Sequence, residues 1–139
     1  MRFATRVTIQ APAEAVWALL TDAAAYPAWN PTVASVEGTI GPGGKVTVRT
    51  AERPGQAFPV RVTAFEAPRR MVWTGGMPLG LFKGERTFTV TPEGNGVVFA
   101  MEEVYTGLMA PLITRSIPDL QPDFDRFGQA LKAAAEQGA

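Results

Sequence analysis

An α+β fold, in which a seven-stranded antiparallel sheet curves around one long C-terminal helix, is predicted from three features of this 139-residue chain. A first strand pattern is followed by a short helical insertion. Six further strand patterns then run without an intervening helix. Beyond residue 108 the apolar repeat changes from every second residue to every third or fourth. Composition agrees, because 14 Gly and 12 Pro exceed the ~12% share usual in soluble proteins and supply the turns that many short strands need.

Each element follows from its own residues. Phe3, Thr5, Val7 and Ile9 alternate with polar neighbours and read as a half-buried strand. Pro12 opens a helix over about Pro12–Leu20, because its missing N–H is no loss in the first turn. Val16, Trp17, Leu19 and Leu20 give that helix an apolar stripe. Tyr26-Pro27-Ala28-Trp29-Asn30-Pro31 reads as a second short helical turn and a loop, broken by its two prolines. The six strands are expected at Val33–Ile40, Lys45–Thr50, Phe58–Phe65, Arg70–Gly75, Leu81–Thr91 and Val97–Thr106, with Gly/Pro turns between them and a tight hairpin at Glu93-Gly94-Asn95-Gly96. Ile117, Leu120, Phe124, Phe127, Leu131 and Ala134 form one face of the C-terminal helix. Pro118 and Pro122 place its regular start between Pro118 and Asp123, since an interior proline costs ~3 kcal/mol.

Composition excludes several chemistries. The chain has no Cys and no His. It therefore has no thiol nucleophile, no Ser–His pair, no disulfide, no zinc site of the usual kind and no His ligand for haem. Thirteen Lys and Arg balance thirteen Asp and Glu, and no basic cluster stands out, which argues against nucleic acid and against an anionic membrane surface as main partners. No run approaches the ~18 apolar residues of a membrane span, and the first residues carry no apolar stretch of the signal-peptide kind. The expectation is a single cytoplasmic domain over 1–139, with no cofactor and no metal. Monomer and homodimer are both open. Asp119, Asp123 and Asp125 fall at the start of the last helix, where negative charge offsets the helix dipole.

The ionisable candidates come from strand register. With Glu93 facing Gly96 across the hairpin, Val90 faces Phe99, Phe88 faces Met101, Arg86 faces Glu103 and Gly84 faces Tyr105. The apolar pairs mark the inward face, so Arg86 and Glu103 point inward together. Such a pair is either a structural ion pair or a polar anchor for a ligand, and Arg86, Glu103 and Tyr105 are the candidates for any acid–base role. Trp17 reads as core. Trp29, in its proline-bounded loop, reads as packing or as the rim of a cavity, and Trp73 as sheet packing or cavity lining. The apolar connector Thr106-Gly107-Leu108-Met109-Ala110-Pro111-Leu112 is either a loop packed under the helix or an adaptable lid, with Met77 and Phe82 across from it.

Several segments, in this order and spacing, carry a resemblance. They are Ile9-Gln10-Ala11-Pro12-Ala13-Glu14-Ala15-Val16-Trp17, Leu20-Thr21-Asp22, Tyr26–Pro31, Gly80-Leu81-Phe82-Lys83-Gly84-Glu85-Arg86, Thr106–Leu112 and Phe127-Gly128-Gln129-Ala130-Leu131-Lys132. Over nearly its whole length the chain resembles the START-like superfamily, also called SRPBCC or helix-grip, and within it the bacterial polyketide cyclase/dehydrase type. The resemblance implies a hydrophobic or amphipathic small-molecule ligand, lipid-, quinone- or polyketide-like, held between sheet and C-terminal helix. With the strand register, helix face and connector read above, the residues expected against that ligand are Trp29, Trp73, Phe82, Arg86, Phe88, Phe99, Met101, Glu103, Tyr105, Leu108, Met109, Phe124 and Phe127. The resemblance also implies two alternatives, a polyketide cyclase or dehydratase and a protein-interaction module of the co-chaperone kind. Related sequences often carry a histidine where Arg86 stands, so a His-dependent role is not expected at that position.

Overall fold

The computed structural model describes residues 1–138; Ala139, the last residue of the expected domain, lies outside the described residues. Strand β1 (Arg2–Ile9) leads into helix α1 (Ala13–Thr21), a 3-10 turn (Ala23–Ala25) and the short helix α2 (Tyr26–Trp29). Strands β2 (Val33–Gly38), β3 (Lys45–Thr50), β4 (Phe58–Glu66), β5 (Arg70–Met77), β6 (Phe82–Glu93) and β7 (Gly96–Thr106) follow. Helix α3 (Ala110–Ile113) and a 3-10 turn (Thr114–Ser116) then lead to helix α4 (Gln121–Gln137).

The seven strands form one antiparallel sheet in the order β1-β7-β6-β5-β4-β3-β2. The sheet curves round α4, which buries Phe124, Phe127, Leu131 and Ala135. Phe127 stacks on Phe99 at 6.1 Å and reaches Phe88 at 6.2 Å, while Phe124 meets Phe3 at 5.7 Å. These contacts identify the concave face. Pro122 sits in the first turn of α4, where it costs no hydrogen bond. Gln121 fixes that end of the helix, its Nε2 donating to Ala4 O (2.7 Å) and Asp125 Oδ1 (2.9 Å). Trp17 of α1 packs on Phe65 at 5.5 Å and closes the end of the trough where β4 finishes.

Two local expectations are corrected. Strand β5 does not stop at Gly75; it continues to Met77, with Gly75, Gly76 and Met77 paired to Gly84, Lys83 and Phe82. The glycines break the side-chain pattern without breaking the ladder. The connector after β7 is not all loop. Pro111 suits the first turn of α3, and Thr114 Oγ1 donates to Ala110 O at 2.7 Å.

Candidate functional site

A cavity of about 530 Å³ lies between the concave face and the segment running from α3 into α4. Small-molecule sites span roughly 300–1,000 Å³, so this one has room for a ligand. It exists because the sheet lacks side chains there. Gly75 of β5 pairs with Gly84 of β6, which pairs with Tyr105 of β7, and both glycines line the space. A Cβ on Gly84 would come within 3.2 Å of the Tyr105 ring. The exposed Glu52, Arg53 and Gln56 of the β3–β4 turn stand at the rim, with Ser116 and Pro118 also on it.

The hairpin register is as expected: Arg86 faces Glu103, Phe88 faces Met101 and Val90 faces Phe99. Arg86 Nε donates to Glu103 Oε1 at 3.1 Å. The Tyr105 hydroxyl donates to Glu103 Oε2, so the carboxylate is held from both sides. The Arg86 guanidinium also lies over the Phe124 ring, 4.8 Å from its centroid, an attraction between cation and ring quadrupole. Tyr105 stacks on Phe82 at 5.7 Å. Burial pushes the Tyr105 phenol well above its ordinary pKa, and the adjacent Glu103 charge and hydrogen bond push the same way, against the opposing effect of Arg86. Tyr105 therefore stays a neutral donor across the physiological range.

Of the residues singled out in the sequence, Trp73, Phe82, Arg86, Met101, Glu103, Tyr105, Phe124 and Phe127 line the cavity. Phe88 and Phe99 are fully buried on the same face but are not part of its wall. Trp29 packs against Tyr26 (5.0 Å) and Phe127 (5.6 Å) and is not in the wall either. Leu108 points away from the cavity into solvent, and Met109 does not line it. The lining side chains not expected against a ligand come from β2–β4, including Val33, Val48, Phe58 and Val60, and from Ile113, Ile117 and Leu120, the last two read from sequence only as part of the helix face. The alternation of Val46, Val48 and Thr50 on β3, and of Phe58, Val60 and Val62 on β4, carried that signal.

Among the described residues the buried side-chain polar atoms left without a hydrogen-bond partner are all donors. The indole N–H of Trp73, which lines the cavity, has no acceptor in the protein. The indole N–H of Trp29 and the side-chain amide N of Asn30 share that condition behind the wall. Asn30 spends its carbonyl on the Thr32 N–H (2.9 Å) and hydroxyl (2.7 Å), which fixes the loop into β2. Buried donors without partners are costly, so a site of this kind favours an occupant that brings acceptors. Among the described residues no cluster of three or more His, Cys, Asp or Glu side chains could hold a metal ion, and no helix is long and apolar enough to cross a membrane.

Fold and cavity together define a helix-grip protein with a cavity under its C-terminal helix. Residues 1–136 match the family described as polyketide cyclase / dehydrase and lipid transport, and the chain belongs to that family. No curated protein matches it in sequence. Solved structures share the fold at low identity. A hypothetical protein from Helicobacter pylori superposes with a TM-score of 0.79 at 15% identity, over 97% of this chain and 88% of that one. A START superfamily protein from Mycobacterium smegmatis gives 0.70 at 18% identity, over 99% of each chain. The di-domain ARO/CYC StfQ from the steffimycin biosynthetic pathway gives 0.74 at 16% identity, over 99% of this chain and 51% of that one.

Proposed function

We propose that this protein binds a hydrophobic or amphipathic small molecule in the cavity between sheet and α4, with an oxygen of the ligand accepting from Arg86. The observation that carries this reading is the division of labour in the wall. Most of it is aromatic or aliphatic, and its charged centre is the Arg86–Glu103–Tyr105 group. Arg86 Nε is committed to Glu103, which leaves its two terminal nitrogens for a carbonyl, hydroxyl or carboxylate. Apolar burial supplies affinity at ~25 cal/mol per Å² before association costs. The oxygen contact fixes orientation. Lipid-, quinone- and polyketide-like molecules share this combination of apolar body and acceptor oxygen. Native mass spectrometry of protein purified from cells tests the reading. A bound small molecule, released on denaturation and lost or reduced in Arg86→Met, supports it. An unliganded wild type that also takes up no molecule from a lipid extract counts against it.

A cyclase or dehydratase activity is the second reading, favoured by the same three side chains and by the family to which the chain belongs. Glu103 would take a proton from carbon while Arg86 polarises the neighbouring carbonyl. Turnover of a polyketide-like substrate that disappears in Glu103→Gln, with binding retained, would raise this reading above simple binding.

A further inference from the structure

Arg86 holds Glu103 by one hand only. An arginine facing a carboxylate ordinarily closes on it with two parallel N–H···O bonds. Here Arg86 gives a single bond, from Nε to Glu103 Oε1 at 3.1 Å, and among the described residues its terminal nitrogens have no partner. The second carboxylate oxygen explains this. Glu103 Oε2 accepts from the Tyr105 hydroxyl, so the oxygen that a terminal nitrogen of Arg86 would engage is already taken.

The neighbours of Tyr105 hold it in that place. It stands two residues beyond Glu103, on the same face of β7, and directly opposite Gly84 of β6. With no side chain at Gly84 the ring lies against that strand; a Cβ there would meet its Cε1 at 3.2 Å and its Cδ1 at 3.3 Å. Phe82 stacks on the ring, 13° from parallel, and Phe3 stands edge-on to it at 6.4 Å. On the other partner, the Phe124 ring covers one face of the guanidinium. A ligand oxygen therefore meets Arg86 at its edge, in the plane where its free N–H groups point.

Charge selects the kind of oxygen. Glu103 compensates Arg86 in place. Of the other charged residues in the wall, Glu52 adjoins Arg53 at the rim and Asp123 is bonded by Arg126. A ligand carboxylate would enter beside Glu103 as an excess charge and give up its hydration. A neutral carbonyl or hydroxyl accepts the same bonds without that cost.

We propose that Tyr105 is a positioning residue: by engaging Glu103 Oε2 it keeps the Arg86–Glu103 pair open, leaving the terminal N–H groups of Arg86 for a neutral ligand oxygen. The ligand belongs to the cavity reading, on which this rests; the open pair is a property of the unliganded protein.

Tyr105→Phe removes the hydroxyl and keeps the stacked ring. Two measurements compare it with the wild type. The first is proton exchange with water at the terminal nitrogens of Arg86, followed by nitrogen NMR of isotope-labelled, unliganded protein and assigned by the signal's loss in Arg86→Met. Exchange should slow about threefold or more in Tyr105→Phe, as Arg86 closes on both oxygens of Glu103. The second is titration calorimetry with three molecules on one naphthalene frame: acetonaphthone (a neutral carbonyl), naphthoate (a carboxylate) and methylnaphthalene (no oxygen). The wild type should bind the ketone about tenfold more tightly than the hydrocarbon, and more tightly than the carboxylate. In Tyr105→Phe the preference for ketone over hydrocarbon should fall to about twofold. A tyrosine that only supports the fold would lower these affinities together and leave their ratio unchanged. An equal ratio in the two proteins, exchange at Arg86 no slower in Tyr105→Phe, or tightest binding of the carboxylate would each overturn the proposal. If the wild type takes up none of the three, the cavity reading and the choice of oxygen fall together, and the exchange measurement still decides the role of Tyr105.

Discussion

Arg86 and Glu103 face one another across β6 and β7, their side chains 3.1 Å apart and 24% and 15% exposed toward the cavity. That intermediate burial sets the cost of breaking the pair. A fully buried pair loses ~3–5 kcal/mol when one partner is removed, because the other charge is stranded. Here Arg86→Met should cost about 2 kcal/mol, since Glu103 keeps the Tyr105 hydrogen bond and part of its exposure. The double change Arg86→Met with Glu103→Leu should recover most of the loss. Urea denaturation of the wild type and these two variants checks it. Equal midpoints for wild type and Arg86→Met would contradict it.

Alkali should unfold the protein through its tyrosines. Burial raises the pKa of both Tyr26 and Tyr105 in the folded chain, whereas the unfolded chain ionises near pH ~10. A raised folded pKa means that the contribution to stability is whole below the unfolded value. It is lost as pH rises above that value, because only the unfolded state releases the proton. The expected observation is that tyrosinate absorbance stays low in the folded protein past pH ~10 and appears with unfolding. Two tyrosines titrating freely near pH ~10 before any change in circular dichroism would contradict this.

Phe127 should be the most costly ring of α4 to lose. It packs against Tyr26, Trp29, Phe88 and Phe99 and is 3% exposed. Phe127→Ala should cost ~3–5 kcal/mol and lower Tm by roughly 10–17 °C, the removed ring leaving a void that its neighbours fill only in part. Calorimetry measures it. A fall of only a degree or two would mean that α4 is not the keystone of the core.

Much of this was legible in the residues. Period-two alternation and Gly/Pro turns marked all seven strands, and the proline-limited heptad-like face marked α4, because these patterns are local consequences of which side is buried. The tight hairpin carried the register of β6 and β7, and with it the facing of Arg86 and Glu103. The position of the cavity along the sheet was not legible. It depends on the Gly75–Gly84 pair lying beside Tyr105 and on α4 passing to one side, both of them tertiary facts. For the same reason the local patterns of β2–β4 do not reveal them as a wall, and those of Trp29 and Leu108 do not reveal that neither lines the cavity. Their local sequence shows an aromatic in a loop and a leucine in a hinge, and nothing in it says which way either points.

The central claim, an apolar cavity whose ligand is held through an oxygen of its own that accepts from Arg86, is tested most directly by titration calorimetry with two molecules of one shape. Menadione carries two quinone oxygens on a naphthalene frame, and methylnaphthalene carries none. Both are titrated into the wild type and into the stability-compensated Arg86→Met, Glu103→Leu variant. The wild type should bind menadione about tenfold or more tightly than methylnaphthalene, and the variant should lose that preference while keeping its affinity for the hydrocarbon. Equal affinities in the wild type, or a preference for menadione that survives in the variant, would contradict the claim.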